Sequence, residues 1–101
     1  ILDNKRELAD TNRKYFAGTD IQFVTEAVDG KANYWLNTVV LKDLDARDEF
    51  LKATNDNKVM TRPIWKLMNK LAMYQHCQCG PLENSQWLEE RVVNIPSSYR
   101  S

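Results

Sequence analysis

Nine consecutive residues, Asn33 to Leu41, constrain the fold most tightly. Laid out as a strand, they place Tyr34, Leu36, Thr38 and Val40 on one face and Trp35, Asn37, Val39 and Leu41 on the other. Both faces are largely apolar, so the strand is expected to be central in its sheet. Ile21, Phe23, Val24 and Thr25 predict a shorter strand before it, and the loop through Asp29-Gly30 leaves room for an antiparallel return. Val59 to Ile64 predicts a third strand, which Pro63 confines to an edge because it lacks a ladder donor.

Helices must cover this sheet. Ile1, Leu8 and Tyr15 recur every seven residues, as do Leu2, Ala9 and Phe16, which makes one apolar stripe along an opening helix over residues 1–17. Gly18 is its expected stop, since a residue without Cβ takes the left-handed conformation readily. Asp45 is the expected N-cap of a second helix through Phe50, Leu51 and Thr54, ended by Asn55-Asp56-Asn57. Lys66 to Tyr74 reads as a short apolar turn or helix, and Gln75 to Pro81 as an irregular loop. A last helix is expected from Asn84 through Trp87, Leu88, Arg91 and Val92, stopping before Pro96. The sum is one α+β domain over residues 1–101, a small, mostly antiparallel three-stranded sheet packed against helices. The chain opens on Ile1-Leu2 rather than Met and is at once in helical pattern, so a preceding segment is expected.

Charge and composition narrow the function. Fourteen Lys and Arg balance fourteen Asp and Glu, which leaves no net field to gather nucleic acid or an anionic membrane surface. No apolar run approaches the ~20 residues of a membrane-spanning helix. Two cysteines one residue apart cannot build a secreted disulfide framework, and a reducing cytoplasm fits them best. His76, Cys77 and Cys79 offer at most three metal ligands from one loop, without the second half that a structural zinc site needs, so no metal is expected. His76 is the single histidine, and no G-x-S-x-G elbow accompanies it, which speaks against a hydrolase. Gly18, Gly30 and Gly80 stand too far apart for a phosphate loop. The pairs Asp48-Glu49 and Glu89-Glu90 read as solvated surface charge.

Val59-Met-Thr-Arg-Pro-Ile-Trp65 is more informative. It sets a guanidinium, Arg62, and an indole, Trp65, at the end of a strand, where one suits an anion and the other an aromatic or sugar face. Asn33 and Trp35, at the start of the central strand, are further candidates for contact with a ligand.

Taken together, Asn33-Tyr-Trp-Leu-Asn37, Arg47-Asp-Glu-Phe-Leu51, Thr61-Arg-Pro-Ile-Trp65 and Trp87 to Ser98 resemble the C-terminal small domain of the DegT/DnrJ/EryC1/StrS family of pyridoxal-phosphate-dependent sugar aminotransferases, most nearly its LegC-like branch. The resemblance implies the fold type I aminotransferase architecture, with residues 1–17 as the connecting helix and the large pyridoxal-phosphate-binding domain absent. It implies a cytoplasmic homodimer that moves an amino group from glutamate to a 4-keto nucleotide sugar, for surface polysaccharide or nonulosonic acid synthesis. No lysine here stands in the context of the family's Schiff-base lysine, so no catalytic residue is assigned and the chain alone is expected to be inactive. Arg62 and Trp65 would reach the substrate, with Asn33 and Trp35 behind them. The competing expectation is a free-standing α+β binding module without enzymatic activity.

Overall fold

A computed structural model describes residues 1–98. Helix α1 spans Leu2–Phe16, and Ala17 leaves it in an extended conformation. Gly18 follows at φ +83°, where a side chain would be strained, and Thr19 closes the turn by donating its N–H to the Phe16 carbonyl at 3.1 Å. Strands β1 (Gln22–Phe23) and β2 (Asn37–Val40) pair antiparallel, Phe23 opposite Val39. Helix α2 spans Leu44–Asp56. Its cap is Asp43 rather than Asp45, because Asp43 is the extended residue whose Oδ1 accepts the Ala46 N–H at 2.8 Å, while Asp45 is already in the first turn.

The C-terminal third differs from its sequence expectation. Helix α3 spans only Glu83–Glu89, Asn84 lies inside it rather than capping it, and Val92–Ile95 form strand β4. The run Val-Val-Asn-Ile carries a two-residue period alongside its helical spacing, and its β-branched members are stiff at χ1 and favour the pleat. Tertiary pairing decides the matter. Strand β4 lies antiparallel between β2 and the edge strand β3 (Arg62–Pro63), giving a four-stranded sheet of order β1-β2-β4-β3 instead of three strands. β2 is interior, and Pro63 sits on an edge strand.

The register sorts the two faces. Phe23, Val39 and Val93 align on one, joined by Asn37 and Ile95, and there Ala9 and Phe16 of α1 and Ala46, Phe50 and Leu51 of α2 complete the core. Val39 and Val93 are wholly buried, and Phe16 stacks on Phe23 at 6.4 Å. Thr38, Asn94 and Arg62 align on the opposite face, where Thr38 Oγ1 donates to Asn94 Oδ1 at 2.9 Å. Pro96 ends the ladder, and Ser97 replaces it with a side chain: its Oγ accepts the Asn37 N–H at 2.7 Å and donates to the Ile95 carbonyl at 2.6 Å. Among the described residues no helix is long and apolar enough to cross a membrane.

Candidate functional site

A cleft of about 740 Å³ opens where the β3 edge meets the approach to β2, and Lys5, Trp35, Met60, Arg62, Trp65 and Lys66 line it. Arg62 and Trp65 both line it, and Trp35 joins them from 30 residues before Trp65. Trp35 and Trp65 are 63% and 74% exposed. Among the described residues no Asp or Glu lines this cleft.

Asn33 is not in it. Its Oδ1 accepts the Trp35 N–H at 3.0 Å, a local turn that lets Tyr34 take φ +49°. The expected strand over residues 33–41 thus starts late, at Asn37, and Asn33 lines a smaller neighbouring hollow that also touches Trp35. Its part is to aim the chain, not to face the cleft. Arg6 secures the same loop from α1. It donates to both Glu26 carboxylate oxygens at 2.9 Å and to the Ala32 carbonyl at 2.7 Å, and its guanidinium lies 5.6 Å from the Tyr34 ring. That guanidinium, helped by the Ala32 N–H, holds the Glu26 carboxyl at a pKa of about 2.

Two positioning groups went unread in the sequence. Lys5 looks like surface charge, yet it sits four residues before buried Ala9 on the same helix face, and its Nζ donates to the carbonyls of Trp35, at 3.3 Å, and Ser97. Helix α1 is thereby tied to both rims of the cleft. Glu89, expected to be solvated, is only 13% exposed at its side chain. It accepts the Leu67 N–H at 2.7 Å and pairs with Lys70, which keeps its carboxyl below the usual range. That anchors the segment behind Trp65 and Lys66, whose continuation is two short 3-10 turns, Met68–Lys70 and Ala72–Tyr74.

Pyridoxal phosphate would require an amine free for a Schiff base and a cradle of donors for its phosphate. Of the lysines lining the cleft, Lys5 is committed to two carbonyls and Lys66 is exposed. Cys77 and Cys79 are exposed free thiols, and no group of three metal-ligating side chains gathers among the described residues.

On the helix-covered side, a second and more apolar groove of about 820 Å³ runs between α1 and α2, lined by Leu8, Tyr15, Phe16, Ile21, Phe50 and Val59. Tyr15 at its rim is 75% exposed.

No family model matches the chain. Its fold is that of a segment, about a quarter in length, of sugar aminotransferases. CalS13 of Micromonospora echinospora, a sugar aminotransferase, superposes at a TM-score of 0.81 with 21% identity, over 96% of this chain and 26% of that one. The Spr1654 protein of Streptococcus pneumoniae, in its PMP form, superposes at 0.82 with 14% identity, over 96% and 26%. In sequence, the GDP-perosamine synthase of Vibrio cholerae is 29% identical over 102 aligned positions, 96% of this chain and 27% of that protein. The chain is thus similar, over nearly its whole length, to a C-terminal segment of a DegT/DnrJ-type sugar aminotransferase, and it spans about a quarter of the relatives it matches.

Proposed function

We propose that residues 1–101 are the small domain of a pyridoxal-phosphate-dependent sugar aminotransferase whose large domain lies upstream. The 29% identity to a GDP-perosamine synthase across 96% of the chain carries this reading. The complete protein would be a cytoplasmic homodimer that passes an amino group from glutamate to a 4-keto nucleotide sugar in surface polysaccharide or nonulosonic acid synthesis. Pyridoxal phosphate would supply the amino-transfer chemistry from the large domain, and this chain alone would be inactive. Its own residues would enclose the substrate: Arg62 binds an anionic group, Trp65 and Trp35 wall the pocket, and Asn33 holds Trp35 in place. The apolar groove between α1 and α2, with Tyr15 at its rim, would pack against the large domain.

The coding sequence ahead of Ile1 tests this. A long upstream reading frame with a cofactor lysine is expected, and the longer protein should transaminate a nucleotide ketosugar. A start codon directly before Ile1 would favour the free-standing binding module instead. In the longer protein, Arg62→Ala should raise KM more than it lowers kcat, and an unchanged KM removes Arg62 from the site.

A further inference from the structure

We propose that Cys77 and Cys79 bind a soft monovalent ion, Cu(I), through both thiolates, at a site independent of sugar amino transfer. Cysteine and methionine are among the residue types most often buried. Here both cysteines are exposed, and so are all three methionines, Met60, Met68 and Met73, by 63% to 66%. His76, the single histidine, is exposed beside them. Every sulfur and imidazole of the chain therefore stands in the open between positions 60 and 79, and none is spent on the core.

Backbone geometry keeps the two thiols together. One residue separates them, so their Cα atoms lie at most about 7 Å apart in any conformation of the loop. The run Ala72 to Pro81 is exposed throughout, residues 75–82 belong to no helix or strand, and a Cβ added at Gly80 would meet nothing within 4 Å. Such a loop can turn both sulfurs toward one ion without breaking a ladder or a helix.

The donor set chooses the ion. Thiolates select Cu(I) or zinc among common metals. Structural zinc takes four ligands, and among the described residues no third His, Cys, Asp or Glu joins the pair. Cu(I), the softer ion, is satisfied by two thiolates. A disulfide is the other use of a thiol pair. Across a single residue it closes a small, strained ring, which raises its reduction potential and leaves the pair reduced in a glutathione buffer. A bound ion spans the same gap through longer bonds. Binding converts one Cu(I) and two thiols into a bis-thiolate complex and two protons, with no change of oxidation state.

The test titrates the reduced 101-residue chain with Cu(I) under anaerobic conditions, in competition with a chromogenic Cu(I) chelator. One Cu(I) per chain is expected, with thiolate-to-metal absorption in the ultraviolet and about two protons released per ion near neutral pH. Cys77→Ser and Cys79→Ser should each weaken binding about 100-fold or more, since each strips the remaining thiolate of its intramolecular partner. Both positions are exposed, and circular dichroism confirms that the variants fold. Zn²⁺ should bind at least about 100-fold more weakly than Cu(I). Unchanged Cu(I) affinity in either serine variant overturns the proposal, and so does Zn²⁺ binding as tight as Cu(I). One Cu(I) per two chains would mean an ion bridging two copies, which overturns the single-loop site. A chain that stays oxidised in excess reduced glutathione would make the pair a disulfide and overturn it too. None of these outcomes touches the sugar-aminotransferase reading, which the coding sequence ahead of Ile1 decides.

Discussion

Replacing Ser97 by Ala removes one oxygen, and the structure states what that oxygen does. Its Oγ accepts the Asn37 N–H at 2.7 Å and donates to the Ile95 carbonyl at 2.6 Å, bridging β2 and β4 where Pro96 cannot continue the ladder. Ser97 is 9% exposed and Asn37 1%, so water does not reach the freed N–H. An amide donor left buried and unpaired costs about 1–3 kcal/mol, and about 2 kcal/mol is the working figure here. With a urea m-value of about 2 kcal/mol/M for a chain of this size, the midpoint should fall by about 1 M at unchanged slope. The melting temperature should drop by about 10 °C. Ser98→Ala is the control, because Ser98 is exposed and makes no hydrogen bond among the described residues. The interaction between Lys5 and the Ser97 carbonyl survives the substitution, so the loss is chargeable to the hydroxyl alone. A loss under about 0.5 kcal/mol, or equal losses at Ser97 and Ser98, would refute the account of how β4 is tied to β2.

Asn37→Leu should stabilise the chain by about 1 kcal/mol, since both polar atoms of the buried amide lack partners; a loss of similar size in urea unfolding would instead reveal an ordered water bound to it. Val93→Ala should cost about 2–3 kcal/mol and Val28→Ala almost nothing, because Val93 is wholly buried and Val28 fully exposed, and equal midpoints would contradict the core assignment. Asp43→Ala should cost about 1 kcal/mol and Asp45→Ala a few tenths, and the reverse order would return the α2 cap to Asp45. Glu26 is held at a pKa of about 2 in the folded chain, below its unfolded value of about 4.3. Its stabilising contribution is therefore complete above about pH 4.3 and is lost as pH falls through about 2; Arg6→Met should flatten stability across that window, and an unchanged acid profile would remove the Arg6 interaction from the account.

What could be read from the sequence divides along the range of the interactions. The double-faced run ending at Leu41 identifies an interior strand, because apolar residues on both faces are a local pattern. The Val92–Ile95 strand was hidden because its residues satisfy a helix period and a strand period equally. Only the pairing of Val93 with Val39, 54 positions away, chooses between them. The α2 cap was misplaced by two residues for a related reason: Asp43 and Asp45 offer the same carboxylate, and the extended backbone at Asp43 selects one. Arg62 and Trp65 line the cleft, and the pattern that singles them out, a cation and an indole at the end of a strand, is a local one. Lys5 and Glu89 could not be read this way, since their roles lie in carbonyls and amides contributed by distant segments. These misses are connected. The insertion of β4 between β2 and β3 sets the spacing between Arg62 on β3 and Trp35 at the approach to β2, and it delivers the Ser97 carbonyl that receives Lys5. Asn94 and Ile95 of β4, with Pro96 and Ser97 after it, are themselves part of the cleft wall. The strand that sequence pattern assigns to a helix is therefore the one on which the site depends, which is why the Ser97 bridge at its end is a test of the cleft as much as of the fold.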